Sequence, residues 1–189
     1  MTAREYQNKV AKILKTIFSK ELVKTEWNSV EFDEHAGNHK LIYAPRHDIA
    51  IGPFNSYLRN LDTSNDCTEI MMSHLLTTKL FKNCLKNRGT LKEVWNNFNR
   101  CYLAIELEFS GSSKHMLGSI INASVSGGIG IIITTKKNIK KINRLVAYIM
   151  RLEGLERIEI NHLRNLIVFE KNDFLKLLSD VKKKVINKK

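Results

Sequence analysis

With 189 residues, 43% of them apolar, the chain is long enough for one domain with a real core and too short to expect two. The apolar content argues against wholesale disorder, and the formal charge of +12 points to a polyanionic partner, DNA or RNA first, recruited by counterion release. Three cysteines (Cys67, Cys84, Cys101) with no Cys-x-x-Cys pair support neither a zinc knuckle nor a redox dithiol, and they fit a reducing cytosol. No signal-like N-terminus and no apolar run near membrane-spanning length is present, so the expectation is a cytoplasmic protein with no membrane contact.

In chain order, residues 4–22 read as an amphipathic helix, with Val10, Ile13, Leu14, Ile17, Phe18 and Leu22 on one stripe. Two strands follow, Trp27–Asp33 and Lys40–Ile51, joined through Glu34-His-Ala-Gly-Asn38, a segment suited to a turn. Residues 55–66 read as loop, and 67–99 as two helical pieces. The first of these ends near Gly89, and the second opens on the capping-box pattern Thr90-Leu-Lys-Glu93. The stretch 101–109 reads as a strand and 114–125 as a helix. Gly127-Gly128 is expected to stop that helix, and Ile129–Thr135, apolar on both faces, fits a central parallel strand. A helix over 138–151 with Asn138 as cap, a short strand at Leu166–Phe169 and a helix from Asp173 to about Lys184 complete the fold. The expected architecture is a single mixed α/β domain over 1–189. A central mixed sheet of about five strands is flanked by helices, with a helical insertion at about 55–100 and a basic helical part at about 136–189. That last region holds 15 Lys and Arg against six acids, and so carries about +9 of the charge.

Chemistry concentrates in Cys101-Tyr-Leu-Ala-Ile-Glu-Leu-Glu-Phe109. Strand alternation sends Cys101, Leu103, Ile105, Leu107 and Phe109 to one face and Glu106 and Glu108 to the other. Two adjacent acids repel unless a cation or a shared proton lies between them. A second acid in apolar company, Asp48, lies upstream in Tyr43-Ala-Pro-Arg-His-Asp-Ile-Ala-Ile51. If these strands are neighbours, Asp48 and Glu106 can hold Mg²⁺ together with the Leu107 carbonyl. Glu108 can then orient or deprotonate water, or hold a second ion. The competing reading is a surface hairpin whose outer face carries two glutamates.

Pro45-Arg-His-Asp48, Glu106-Leu-Glu108, the helix over Lys114–Val125 and the strand Ile129–Ile133 follow one another in an order that resembles the restriction-endonuclease-like nucleases, the PD-(D/E)xK superfamily. The resemblance covers roughly residues 1–135. It departs from the usual signature in three ways: Arg46 and His47 separate Asp48 from Pro45, Glu108 replaces the usual lysine as in some type II restriction enzymes, and a long insertion splits the halves. It implies a restriction-endonuclease-like fold, Mg²⁺ with Mn²⁺ able to substitute, and catalytic roles for Asp48, Glu106, Glu108 and Lys114. It also implies another acid from the first helical region. Glu21, Glu26 and Glu31 compete for that place, and a hairpin centred on Gly37 sets Glu26 across from Asp48.

Ser112, Ser113 and Lys114 begin a helix, whose N-terminus favours anions, so they either touch a phosphate or simply cap. Arg46, Lys140, Lys141 and Arg144 are further candidates for DNA contact. Ser110-Gly-Ser-Ser-Lys114 lacks the spacing of a nucleotide loop, so no nucleotide cofactor is expected. His35 and His39 read as exposed turn residues, His47 as a core residue facing away from Asp48, and Trp27 and Trp95 as packing. The leading expectation is a Mg²⁺-dependent endonuclease on double-stranded DNA, of type II restriction character, working as a homodimer if both strands are cut. The alternatives are a non-catalytic nucleic-acid-binding protein and a structure-selective repair or junction nuclease.

Overall fold

The computed structural model describes residues 1–28, 46–54, 73–96, 99–154 and 163–187. Among them, five strands form one mixed sheet in the order β1 (Val23–Asn28), β2 (Arg46–Ile51), β3 (Cys101–Glu108), β4 (Gly127–Thr134) and β5 (Leu166–Glu170). The first three strands are antiparallel neighbours; β3, β4 and β5 run parallel. This is the expected mixed α/β architecture. Because β3 is paired on both sides, Glu106 and Glu108 do not lie on a surface hairpin.

Helices cover both faces of the sheet. On one, Tyr6, Val10 and Leu14 of α1 (Ala3–Ile17), Leu76 and Leu80 of α2 (Leu75–Leu80), and Phe174 and Leu178 of the last helix meet Ile49, Ile51, Leu103, Ile105, Ile129, Ile131 and Ile133. A π turn (Phe81–Leu85), a 3₁₀ turn (Lys86–Arg88) and α3 (Leu91–Val94) continue from α2, and Leu85, Val94 and Trp95 join this core. On the other face lie α4 (Ser113–Ser126) and α5 (Lys136–Gly154), whose Met116, Ile120, Ala123, Ile142 and Ile149 pack with Ala50, Ala104, Ile132 and Leu166. The last helix is α6 (Lys171–Ile186). The isoleucine run of β4 thus supplies both cores: Ile131 and Ile133 to one, Ile132 to the other. Among the described residues no helix is long and apolar enough to cross a membrane.

Small residues seat α4. Ala50 and Gly130 are both register partners of Ala104, forming a row of minimal side chains under the helix. A Cβ on Gly130 would lie 2.6 Å from the Ala123 carbonyl oxygen. Trp95 likewise packs onto Gly128, where a Cβ would fall 2.5 Å from its ring. The glycine cluster serves twice. α4 stops at Gly127 as expected, its N–H bonded to the Ala123 carbonyl as the helix C-cap, while Gly127 is already the extended first residue of β4 and Gly128 and Gly130 give room for packing.

Several boundaries move. The first helix ends at Ile17, and Leu22 belongs to a 3₁₀ turn (Lys20–Leu22). The first strand begins at Val23, four residues before the sequence suggests, and its expected end at Asp33 lies outside the described residues, as do the Gly37 turn, Pro45 and Cys67. The capping box at Thr90 and Glu93 forms as expected. Asn138 lies inside α5 instead of capping it, and α6 starts at Lys171, capped by the Glu170 carboxylate. Cys101 packs with Ala104 on the α4 side, not with Leu103 and Ile105.

Candidate functional site

The acids gather where the parallel strands β3, β4 and β5 end and α4, α5 and α6 begin, the end of an α/β sheet at which ligands ordinarily bind. The β2–β3 ladder pairs Ile51 with Leu103, Ala50 with Ala104 and Ile49 with Ile105, so Asp48 stands opposite Glu106. There the Asp48 side chain takes over from the ladder: its Oδ2 accepts the Leu107 amide hydrogen at 2.6 Å. On the other side of β2, Thr25 pairs with Ile49 and Trp27 with His47, which sets Glu26 opposite Asp48, as a hairpin centred on Gly37 requires.

Glu26 has φ +53°, the left-handed region that a residue with a Cβ adopts only at a cost. The consequence is a broken alternation. Val23 and Trp27 should share a face; instead Val23 joins the α1 core and Trp27 the α4 core. Trp27 stacks on His47 with ring centroids 5.7 Å apart. His47 thereby comes to the acid side of the sheet, and its Nδ1 lies 2.7 Å from Glu106 Oε1. The expectation that His47 faces away from the acids is corrected: it is fully buried, but as the partner of Glu106. With Nδ1 carrying the hydrogen toward an ionised Glu106, Nε2 is left as a buried lone pair without a partner among the described residues.

Glu26 turns toward α1. Its Oε1 accepts from Arg4 at 3.1 Å and from Gln7 at 2.8 Å. Gln7, only 3% exposed, also donates to the Asp48 carbonyl at 2.6 Å. One amide group therefore ties α1 to both β1 and β2 at the level of Asp48. Glu108, also buried, is held differently. Its Oε1 accepts from the Ser110 amide at 3.2 Å and from the Ser110 hydroxyl, and its Oε2 accepts from Ser119 of α4 at 3.4 Å.

These carboxylates feel one another. Burial, opposed by the His47 bond and reinforced by Asp48 and Glu108, pushes Glu106 up to about 7. Asp48 is raised as well, first by burial, with Glu26 and Glu108 adding to it and the Leu107 amide working against it. Crowded, half-desolvated acids of this kind are stabilised by a cation between them.

As the side chains stand, the described residues contain no group of three or more His, Cys, Asp or Glu placed to hold one ion. A hard divalent cation does not need three. Mg²⁺ commonly takes one or two carboxylates and completes its shell with water and substrate phosphate. Asp48 and Glu106 fit that requirement: each is pinned through one oxygen, and no hydrogen bond to the other is formed among the described residues. Both oxygens of Glu108 are committed to serines, so it contributes charge more than a free oxygen, whereas Glu26 is held by α1 through Oε1 alone.

Around the acids, Arg46, Ser112, Ser113 and Lys114 are exposed. Ser112 sits at the α4 N-cap without a side-chain capping bond, so its hydroxyl is not spent on the helix. Lys140, Lys141 and Arg144 are exposed on α5, and Lys141 Nζ donates to the Gly111 carbonyl at 2.5 Å, fastening the head of α5 to the turn after Glu108. Glu21 is fully exposed in its 3₁₀ turn and takes no part in the site, while Glu31, His35 and His39 lie outside the described residues. Sequence reasoning missed His47, Gln7 and Arg4. Gln7 left a signal, a polar residue at a core position in register with Val10 and Leu14. Arg4 and His47 left none. No known protein family matches the chain, and neither the curated proteins nor the solved structures contain a match.

Proposed function

We propose that the protein is a Mg²⁺-dependent endonuclease that hydrolyses DNA phosphodiester bonds, a PD-(D/E)xK-type enzyme of type II restriction character. The observation that carries this reading is the Asp48–Glu106 pair: a half-buried and a buried carboxylate one step beyond the last pair of the β2–β3 ladder, each anchored through one oxygen. The pair lies at the end of the sheet where α/β folds ordinarily bind ligands, in a strongly basic molecule. Asp48 and Glu106 would hold the ion. When bound, Mg²⁺ neutralises charge on the phosphoryl oxygens and lowers the pKa of a coordinated water; Mn²⁺, with the same preference for oxygen ligands, substitutes.

The chain's own residues do the rest. His47 and the Leu107 amide fix the two carboxylates before substrate arrives, so no reorientation is needed during the reaction. Glu108 holds Ser110 and Ser119, and with them the turn that leads into α4. Ser112, Ser113 and Lys114 then lie at a helix N-terminus, where backbone N–H groups and a lysine favour a phosphate. Arg46, exposed two residues before Asp48 on β2, and Lys140, Lys141 and Arg144 along α5 offer phosphate contacts. Double-strand cleavage requires two such sites, hence a homodimer on double-stranded DNA.

One observation favours a second reading, a non-catalytic nucleic-acid-binding protein: both oxygens of Glu108 are already bonded within the protein. A single experiment separates the two. Supercoiled plasmid is incubated with the protein and Mg²⁺, with EDTA as control, beside the Glu106→Gln variant. Metal-dependent nicking or linearisation that the variant lacks supports the nuclease; an inert wild type, or a variant as active as wild type, removes it.

A further inference from the structure

A groove of about 460 Å³ runs between α1 and β1, on the flank of the sheet away from α4 and α5. It is lined by Lys12, Lys15 and Lys20 together with Asn8, Thr16 and Thr25, and among the described residues no acid lines it. Three cations around one concavity repel one another, and the polar atoms beside them, two hydroxyls and an amide, match the oxygens of a phosphate. The groove adjoins the acids. Thr25 precedes Glu26, which stands opposite Asp48, and Arg4, Asn8, Lys12 and Lys15 follow one another along one face of α1 from the Glu26 carboxylate into the groove. Arg4 to Lys15 spans about 16 Å of helix, the length of about five base pairs of duplex.

We infer that this groove holds the phosphate backbone of double-stranded DNA flanking the bond presented to Asp48 and Glu106. The duplex thus straddles the acid end of the sheet, with α5 on one side and α1 on the other. The inference rests on the DNA-directed reading above, though not on cleavage itself.

The test measures binding without metal. In the Glu106→Gln background, affinity for a short fluorescent duplex is followed against salt for three proteins: the parent, a variant with Lys12, Lys15 and Lys20 all changed to alanine, and a control with Lys82, Lys86 and Lys92 changed to alanine. All six lysines are exposed, and melting curves check that each protein is folded. Counterion release predicts that the groove variant loses about 2 to 3 from the slope of log K against log salt, while the control keeps the parent slope. An unchanged slope in the groove variant, or an equal loss in both variants, overturns the inference. Slope loss specific to the groove alongside an inert wild type on plasmid leaves the groove standing and removes the nuclease; cleavage without slope loss does the reverse.

Discussion

Asp48 and Glu106 are joined across the central strands by the intervening amide: Asp48 Oδ2 accepts the Leu107 hydrogen at 2.6 Å while Glu106 stands opposite it in register. The Asp48 carboxylate is thus both a structural acceptor and a metal-ligand candidate, and two substitutions separate these roles. Asp48→Asn keeps an acceptor oxygen and should leave the fold close to wild-type stability while removing the charge a cation needs. Asp48→Ala orphans the Leu107 N–H and should cost about 1 to 3 kcal/mol in urea unfolding. Both should lose Mg²⁺-dependent plasmid cleavage. An Asp48→Asn protein that cleaves at the wild-type rate would break the link between this carboxylate and the reaction.

Binding of a divalent ion to the folded state alone stabilises it. At a Mg²⁺ concentration about 100-fold above Kd, the gain is about 2.7 kcal/mol, readily visible in a melting curve. We expect wild type to melt higher with Mg²⁺ or Mn²⁺ than with EDTA, and Glu106→Gln to be indifferent. An equal response in both proteins would place the ion elsewhere, and no response in either would favour the non-catalytic reading.

Much of this centre was legible in the sequence because it follows from strand periodicity and register. Glu-x-Glu on an apolar strand and a lone Asp on another announce themselves, and a hairpin about Gly37 sets Glu26 opposite Asp48, the register observed. Alternation then fails at one residue. Glu26 adopts a left-handed conformation that nothing in Val23-Lys-Thr-Glu-Trp-Asn28 requires, and the side of the sheet taken by Trp27 and His47 changes with it. That choice is made by tertiary contacts, Arg4 and Gln7 on Glu26 and Trp27 on His47, between segments far apart in the chain. A non-glycine residue held at positive φ is commonly found where function depends on the local geometry. The row Ala50, Ala104 and Gly130 was equally invisible as a pattern, since its members meet only once the strands are paired.

Burial of Glu106 makes stability depend on pH in a definite direction. Its folded pKa is raised from the ordinary 4.5 to about 7, so the folded state holds the proton more tightly than the unfolded one. Stability from this group is complete below about pH 4.5 and is lost as pH rises through about 7, an amount on the order of 3 kcal/mol. Asp48, raised as well, acts in the same sense. Glu106→Gln should flatten this part of the profile measured by urea unfolding in EDTA, and Mg²⁺ should restore stability to wild type above pH 7. A wild-type profile that rises from pH 5 to pH 8 would show that Glu106 is not the desolvated acid described.

Gln7 offers the sharpest test of how α1 supports the site. Its amide nitrogen donates both to Glu26 Oε1 and to the Asp48 carbonyl, so it needs N–H groups and not merely a polar end. Gln7→Ala should destabilise by about 1 to 3 kcal/mol and lower cleavage by loosening the strand that carries Asp48. Gln7→Glu keeps the shape but has no hydrogen to give once ionised, and it brings a second carboxylate against Glu26. That variant should be the less stable of the two at pH 8 and recover at pH 5, where the new acid accepts a proton. Equal stability of the two variants at both values would mean that Gln7 merely fills space, and that α1 does not hold Asp48 in place.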